Sequence, residues 1–260
     1  MDKTVVKAFQ VLEALSNSDK PRGVTELAAE VAMTKANVHR LVRTLTELGY
    51  VRQPEDTSRY EPSLKLWGLG ANVVQKLDLT VVAAPIVRAL RNECRESVQL
   101  AVRDGDAIVY VDKADSQRPV RATTRIGSRV PMHCISTGKA ILAASESAFA
   151  ALTFPLKRST PHTRTTRPQL EKQLAEVRRV GYAVNRGEWR EGIWGIAAPI
   201  RGADWEVTGA IGIWGPEDRF QGGALKNLAA AVVGAANNIS AHMGNRMHVA
   251  KTGTGIGKRL

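Results

Sequence analysis

Cysteine is scarce in this sequence, since Cys94 and Cys134 are the only two among 260 residues. Two cysteines predict neither a disulfide framework nor a zinc site, and we expect no bound metal or cofactor. No apolar run reaches the about 18 residues that a membrane-spanning helix needs. We also expect no signal peptide, because Met1–Lys3 leads directly into an amphipathic helix. We therefore expect a cytoplasmic protein that does not enter a membrane.

Catalytic motifs are missing as well. Ser136–Lys139 is similar to the end of a phosphate-binding loop, but the glycine required six residues before Lys139 is His133. His133 and Cys134 could be a base and a thiol nucleophile. Adjacent residues on a strand or loop project to opposite sides, however, and no third orienting group is evident. We expect no enzyme, and we expect His133 to make a structural hydrogen bond.

Positive charge is in excess but unevenly distributed. The chain has a net charge of +12, of which residues 1–77 carry +2 and residues 78–260 carry +10. This charge favours loose attraction to phosphate but does not locate a specific contact. A protein that binds DNA through charge alone is an alternative, but it leaves the second half of the chain unexplained. The basic end, residues 244–260, is predicted to be disordered.

Residues 1–62 carry the pattern of a DNA-binding domain. A first helix, residues 4–15, is expected to cover the core with Val5, Phe9, Leu12 and Leu15. Two further segments have apolar residues at helical spacing, namely Leu27, Ala28 and Val31, then Val38, Leu41, Val42 and Leu45. Thr34 is a candidate N-cap, and Gly49 is placed to end the second helix. Ala32 stands in the turn, where a positive φ would cost about 1 kcal/mol.

After Gly49 the chain alternates as strands do around the polar turn of residues 53–58. A helix-turn-helix followed by such a hairpin is a winged helix, whose second helix reads DNA. Asn can read adenine, and Arg can pair with guanine or phosphate. The residues predicted to contact DNA on the two helices and the wing are Thr25, Lys35, Asn37, His39, Arg40, Arg43, Thr44, Arg52 and Arg59. Charged outer faces can also be merely solvated, but the order of helices, turn and wing favours DNA binding.

The segment Thr34–Gly70, TKANVHRLVRTLTELGYVRQPEDTSRYEPSLKLWGLG, resembles the winged-helix domain of the IclR family of bacterial transcriptional regulators. In the usual family pattern a proline stands at Thr34, and Ser-Thr stands at Ala36 and Asn37. The operator sequence therefore cannot be carried over. The resemblance also implies that residues 63–77 form a linker helix that helps to pair the DNA-binding domains, although a plain connector fits this segment too.

Residues 78–243 predict a second domain of α+β class with a mostly antiparallel sheet flanked by helices. Hairpin signals at Asp104-Gly105 and around Gly202 support the antiparallel order. The predicted strands cover residues 97–102, 107–111, 120–124, 182–185, 195–200 and 206–214. The predicted helices cover residues 79–94, 136–144, 145–152, 170–180 and 225–243, and loops are expected at residues 127–131 and 155–168.

This second domain continues the resemblance in residues 125–143, 181–185, 192–199 and 209–216. It implies a GAF-like, effector-binding domain. By resemblance, the ligand-binding residues are Ala122, Val130, Ser136, Thr137, Asn185, Ile193, Gly195, Gly212 and Trp214. Ser136 and Thr137 stand at a helix start, where free N–H groups and the helix dipole favour a carboxylate.

Four pocket positions depart from the family, which commonly has Asp at Asn185, Cys at Gly195, and Ser at Gly212 and Trp214. We expect an effector that is more apolar or aromatic than the glyoxylate-like acids of some members. The alternative is that Trp194, Trp214 and Gly212 merely repack the core. Either way, the sequence predicts a ligand-responsive transcription regulator, acting on catabolic genes by repression or activation.

The expected partners follow from this interpretation. A single winged helix reads too few bases for genomic specificity, so we expect a homodimer or a dimer of dimers on a pseudo-palindromic operator in double-stranded DNA. A small carboxylic acid would bind the second domain and shift the spacing of the DNA-binding domains.

Overall fold

The chain forms two compact units, Met1–Lys76 and Leu77–Leu260, and each is described by itself. The computed structural model describes residues 1–55, 57–75, 78–202 and 205–243. The predicted basic tail, residues 244–260, lies outside the described residues. Within the described stretches, no helix has the length and apolar character needed to cross a membrane.

The N-terminal unit is a helix-turn-helix with a small three-stranded sheet. Its helices are α1 (Lys3–Ser16), α2 (Val24–Glu30), α3 (Lys35–Glu47) and α4 (Leu64–Gln75), and its strands are β1 (Arg22–Gly23), β2 (Val51–Arg52) and β3 (Arg59–Pro62). The strands lie in the order β1-β3-β2, and both pairs are antiparallel. The predicted helix pair and hairpin are therefore confirmed, and the loop before α2 also contains the short strand β1.

Two local devices determine where α3 begins and ends. The Thr34 hydroxyl oxygen accepts the backbone N–H three residues later at 3.3 Å, as a helix N-cap does. At the other end Gly49 has φ of +77°. The N–H groups of Gly49 and Tyr50 donate to the carbonyls of Thr46 and Leu45, each at 2.9 Å. This Schellman arrangement ends α3 and directs the chain into the wing.

The predicted inner face of α1 is wrong in its first half. Val5 and Phe9 are 51% and 60% exposed. Burial is instead confined to the second half of α1, at Val11, Ala14 and Leu15. The predicted second half of the stripe is confirmed, since Leu15 is buried and Leu12 packs against the core, but Val11 and Ala14 are buried in place of Val5 and Phe9.

The C-terminal unit is built on a six-stranded sheet in the order β6-β5-β4-β9-β8-β7, in which every neighbouring pair is antiparallel. The strands are β4 (Ser97–Asp104), β5 (Ala107–Ala114), β6 (Arg129–Pro131), β7 (Ala183–Arg186), β8 (Ile193–Arg201) and β9 (Val207–Pro216). The helices are α5 (Asp78–Cys94), α6 (Ser136–Ala144), α7 (Glu146–Ala150), α8 (Arg167–Val180) and α9 (Gly222–His242). The predicted α+β class is confirmed.

Two element predictions near this sheet are wrong. Residues 120–124 are not a strand, and residues 129–131, predicted as a loop, form β6. Two backbone carbonyls of residues 120–124 accept hydrogen bonds from side chains. Ser97 Oγ donates to the Ala122 oxygen at 2.9 Å, and Arg219 donates to the Val120 oxygen at 2.6 Å. Val130 instead pairs with Ile108 in the sheet.

The sheet is covered on both faces. One core cluster contains Ile108, Met132, Ile141 and Leu170, and a second contains Leu79, Val87, Ile211 and Ile239. Alternation along β9 turns Gly212 towards α6, since a Cβ there would lie 3.1 Å from Thr137 Cγ2 and 2.9 Å from Ala197 Cβ. The missing side chain therefore lets α6 approach the sheet closely.

Candidate DNA-binding surface and small-molecule cleft

The predicted DNA-contacting residues of α3 lie together on its outer side. Lys35, His39, Arg40, Arg43 and Thr44 are exposed, and Asn37 is half-buried. Arg43 is paired with Glu47 at 3.0 Å. Among the described residues, the side chains of Lys35 and Arg40 have no ion-pair or hydrogen-bond partner. Thr25 is exposed in the first turn of α2. The helix therefore presents unpaired positive charge to a partner.

The turn between α2 and α3 contains the predicted strained alanine. Ala32 has φ of +51°, in the left-handed region. The N–H of Met33 donates to the Ala28 carbonyl at 3.0 Å, which closes the turn. An alanine in this conformation costs about 1 kcal/mol relative to glycine.

Both wing arginines are held by carboxylates. Arg52 Nε donates to Glu61 at 2.7 Å within the hairpin. Arg59 donates to both oxygens of Glu26 at 2.9 and 3.3 Å, and to the Pro21 carbonyl at 3.0 Å. The Arg59 guanidinium also lowers the pKa of Glu26. Arg59 thus joins the wing to α2, and either arginine would have to exchange its carboxylate for a phosphate to contact DNA.

A cleft of about 420 Å³ opens at the beginning of α6, and we call it the α6 cleft. Six of the predicted ligand-binding residues line it: Val130, Ser136, Asn185, Ile193, Gly195 and Trp214. The other three do not. Thr137 is fully buried, Gly212 packs beneath it, and Ala122 is buried with its carbonyl bound to Ser97.

The three residues of the core-repacking alternative, Trp194, Trp214 and Gly212, have different surroundings in the structure. Trp194 is half-buried, packs against the second core cluster and stacks with the Arg186 guanidinium at 5.4 Å. Gly212 serves the packing of α6. Trp214 alone among these three positions lines the α6 cleft.

Sequence reasoning missed several residues of the α6 cleft. They come from four separate segments: Gln99, Tyr110, Thr123, Thr124, Arg125, Ser128, Arg129, Ile135, Trp189 and Arg190. Gln99 carried a usable signal, since it is a polar residue between the buried apolar residues Val98 and Leu100 of β4. The loop residues carried no such signal, because only the fold brings their segments to one place.

Among the described residues that line the α6 cleft, the charged ones are all arginines, Arg125, Arg129 and Arg190. Arg129 is tied to Asp104 and Asp106 at 3.0 and 2.7 Å. Among the described residues, the guanidinium of Arg190 has no ion-pair or hydrogen-bond partner. The N-terminus of α6 adds the positive end of a helix dipole. The cleft is therefore suited to an anion.

The walls of the α6 cleft are partly aromatic. Trp189 and Trp214 line it together with Ile193 and Tyr110. Burial raises the pKa of Tyr110 to about 12, so its hydroxyl remains neutral and can donate a hydrogen bond. An arginine, a helix N-terminus and indole rings can together hold a small acid with an apolar or aromatic body.

A buried ion pair lies behind the cleft wall. Lys139 Nζ donates to Glu188 Oε1 at 2.6 Å and to the Val184 carbonyl at 2.7 Å, and the Lys139 side chain is 0% exposed. Burial lowers the pKa of Lys139, and Glu188 opposes this effect. The N–H of Glu188 donates to Asn185 Oδ1 at 2.8 Å. This network connects α6 to the loop that carries Trp189.

His133 and Cys134 do not form a reactive pair. His133 Nε2 lies 2.9 Å from the Lys157 carbonyl, so the predicted structural hydrogen bond is confirmed. Cys134 is fully buried, and burial raises its pKa to about 12. Its thiol therefore stays protonated at neutral pH. In the described part of the chain, no group of His, Cys, Asp or Glu residues could hold a metal ion.

A winged helix-turn-helix unit and a sheet unit with an anion-suited cleft together define the class of ligand-responsive, DNA-binding regulators. Family comparison agrees with this class. The IclR helix-turn-helix domain matches residues 4–55, and the domain described as "Bacterial transcriptional regulator IclR C-terminal" matches residues 71–241. The chain belongs to the IclR family of bacterial transcriptional regulators.

Individual relatives support the same assignment. The chain is 36% identical to the HTH-type transcriptional regulator KdgR of Escherichia coli K12 over 93% of its length and 92% of the relative. It is 28% identical to the HTH-type transcriptional repressor AllR of the same strain over 93% and 90%. The family consists of DNA-binding transcriptional regulators, and this chain is such a regulator and not an enzyme.

Solved structures resemble the whole fold. Thermotoga maritima IclR matches with a TM-score of 0.79 at 26% identity, covering 93% of this chain and 98% of that one. An IclR homologue from Microbacterium hydrocarbonoxydans, complexed with 4-hydroxybenzoate, matches with a TM-score of 0.80 at 25% identity, covering 93% and 99%.

Proposed function

We propose that this regulator senses a small aromatic carboxylic acid in the α6 cleft. The observation that carries the proposal is the pairing of Arg190 and the α6 N-terminus with the indole rings of Trp189 and Trp214. A carboxylate would be held by the positive groups, and a ring would lie against the indoles. The homologue complexed with 4-hydroxybenzoate supports this class of ligand.

The cleft chemistry favours an aromatic acid over a small hydrophilic one. A two- or three-carbon acid would leave most of the about 420 Å³ unfilled and the indoles without a partner. An aromatic ring would bury apolar surface at about 25 cal/mol per Å². The carboxylate would be selected by the arginines, since no acidic side chain is among the described residues that line the cleft.

A thermal-shift experiment on the full chain tests this proposal. Benzoate and 4-hydroxybenzoate should raise the melting temperature, because a ligand at 100 times its Kd stabilises the native state by about 2.7 kcal/mol. Trp214→Ser should abolish the shift. Trp205→Ser, which removes an indole outside the cleft, should retain it. Tight binding of glyoxylate or pyruvate, with no response to aromatic acids, would refute the proposal.

We also propose that α3 enters the major groove of the operator. The residues that would contact bases and phosphates are Lys35, Asn37, His39, Arg40 and Arg43. The protein would read a pseudo-palindromic operator as a dimer or a dimer of dimers. Apolar side chains on two helices of the N-terminal unit support pairing. Phe9 on α1 is exposed, and Leu64 and Trp67 on α4 are 84% and 73% exposed. A second copy of the chain that covers these residues would remove them from water.

Binding-site selection from random duplexes, combined with analytical ultracentrifugation, tests this second proposal. The selected sites should contain an inverted repeat, and Arg40→Ala should weaken binding to them. Phe9→Ser with Trp67→Ser should shift the protein towards monomer and reduce operator affinity. Lys172→Ala, a charge removal on α8, serves as the control. Binding without sequence preference and with steep salt dependence would instead indicate binding through charge alone.

The effector and operator proposals make one joint expectation. An acid that binds the α6 cleft should change operator affinity, because a ligand that favours one arrangement of the DNA-binding units shifts the population towards it. Gel-shift titrations with and without the acid measure this coupling, and a promoter fusion shows whether the outcome is repression or activation.

A further inference from the structure

A second polar cleft, of about 330 Å³, lies at the C-terminal end of α5. We call it the arginine cleft, and its lining residues are Arg91, Asn92, Arg95, Gln117 and Arg118. Every one of these five side chains can donate hydrogen bonds, three of them are positively charged, and no acidic side chain is among them. None of these residues lines the α6 cleft.

The positive charge of the arginine cleft is poorly compensated. Arg91 Nε is buried and has no hydrogen-bond partner, and the guanidinium of Arg95 has none among the described residues. Arg118 lies 3.5 Å from Glu96, but the carboxylate of Glu96 is already held by Arg219 at 2.9 Å. One arginine at a helix C-terminus is explained by the helix dipole. Three arginines around one concave site, one of them with a buried donor that has no partner among the described residues, exceed what the helix dipole explains.

The backbone of Arg95 gives an independent indication. Arg95 has φ of +58°, directly after the end of α5, in a conformation that favours glycine. Its carbonyl accepts a hydrogen bond from Ser116 Oγ at 2.6 Å, which holds the turn. Glycine would satisfy this turn without strain, so the turn itself does not account for an arginine. Strain of this kind is concentrated at functional sites, and here it places a guanidinium at the cleft.

We propose that the arginine cleft binds a small anion that carries a phosphate group, as free phosphate or as a phosphomonoester. Guanidinium groups bind phosphate oxygens in bidentate fashion, and three of them around one concave site match a doubly charged, tetrahedral anion. The amides of Asn92 and Gln117 would supply further donors. DNA phosphates are a different occupant, which the test below separates.

Residues 116–124 form one segment that contributes lining residues to both clefts. Gln117 and Arg118 line the arginine cleft, and Thr123 and Thr124 line the α6 cleft. Ser97 Oγ joins the two ends of this segment, since it accepts the N–H of Ser116 at 3.1 Å and donates to the carbonyl of Ala122 at 2.9 Å. An anion in the arginine cleft would restrain the border of the α6 cleft, so the regulator would respond to a second chemical signal.

Calorimetric titration of the full chain with inorganic phosphate and with glucose 6-phosphate, at constant ionic strength against chloride, tests the proposal. Saturable binding is expected, and the stronger of the two ligands identifies the source of the phosphate group. Arg95→Gly should weaken binding about ten- to a hundredfold, the factor expected for a lost charge-assisted hydrogen bond. Because glycine relieves the strained φ, this variant should fold with an undiminished melting temperature.

Two further variants complete the experiment. Arg118→Gln should also weaken phosphate binding, whereas Arg179→Gln, an equal charge change on the exposed side of α8, should not. The proposal is overturned by the absence of saturable binding, by wild-type affinity in Arg95→Gly, or by an equal loss in Arg179→Gln. It is also overturned if Arg95→Gly weakens binding of a non-operator DNA duplex and leaves phosphate binding unchanged.

Discussion

The buried ion pair between Lys139 and Glu188 allows a quantitative prediction. Lys139→Met removes the ammonium that lies 2.6 Å from Glu188 Oε1 and leaves a carboxylate whose side chain is 4% exposed. Glu188 Oε2 already has no hydrogen-bond partner among the described residues. Breaking a buried pair on one side costs about 3–5 kcal/mol, because the remaining charge is uncompensated. The free energy of unfolding of the C-terminal unit should fall by that amount.

The expected loss is large enough to measure directly. For a unit of this size 1 kcal/mol shifts the melting temperature by roughly 2–4 °C, so Lys139→Met should lower it by about 6–20 °C. Tryptophan fluorescence mainly reports this unit, which contains Trp189, Trp194, Trp205 and Trp214, four of the five tryptophans. The double variant Lys139→Met with Glu188→Gln should recover much of the loss, because neither side then carries a buried charge.

The same pair should also influence the α6 cleft. Glu188 is the neighbour of Trp189 and donates its N–H to Asn185, and both of these residues line the cleft. The double variant should therefore be folded yet bind the effector more weakly. Two results would refute the assignment of the pair as a coupled buried interaction. One is a decrease in the free energy of unfolding of less than about 1 kcal/mol in Lys139→Met. The other is a decrease in the double variant that equals the sum of the decreases in the two single variants.

Three smaller predictions concern residues outside the cleft walls. Burial lowers the pKa of His133 below its ordinary value of about 6.5. As the pH falls, His133 therefore takes up a proton in the unfolded chain before it does so in the folded chain. The free energy of unfolding should thus decrease as the pH drops below about 6.5. His133→Gln should flatten that part of the stability profile in urea titrations. Cys134 and Cys94, with pKa values raised by burial to about 12 and about 11, should resist alkylation by iodoacetamide at pH 8 in the native protein. Ala32→Gly should leave the turn unchanged and stabilise the N-terminal unit by up to about 1 kcal/mol, measured by thermal unfolding.

Each of these has a contrary outcome. An unchanged pH profile in His133→Gln would mean that His133 does not titrate differently in the folded state. Rapid alkylation of Cys134 without unfolding would contradict its burial. Destabilisation by Ala32→Gly would mean that the entropy of the more flexible unfolded chain outweighs the relief of backbone strain.

The errors of sequence reasoning have a common cause. Residues 120–124 alternate like a strand, but their carbonyls are bound by Ser97 and Arg219, which are far away in the chain. Val5 and Phe9 form an apolar stripe on α1, yet the packing of the unit uses the stripe of Val11 instead. In both places a local pattern was correct, and partners distant in sequence decided otherwise.

The sequence by itself determined the elements whose signals are local. Apolar spacing, the Thr34 cap and the left-handed Gly49 specify α3, and the hairpin signals specify the antiparallel pairing of β4 with β5 and of β8 with β9. The family resemblance named six lining residues of the α6 cleft, and the tertiary structure alone decided its other lining residues and the whole arginine cleft. Trp189, Gln99 and Arg125 come from separate segments that carry no mutual signal, and they meet because close packing of α6 on a twisted sheet brings those segments together.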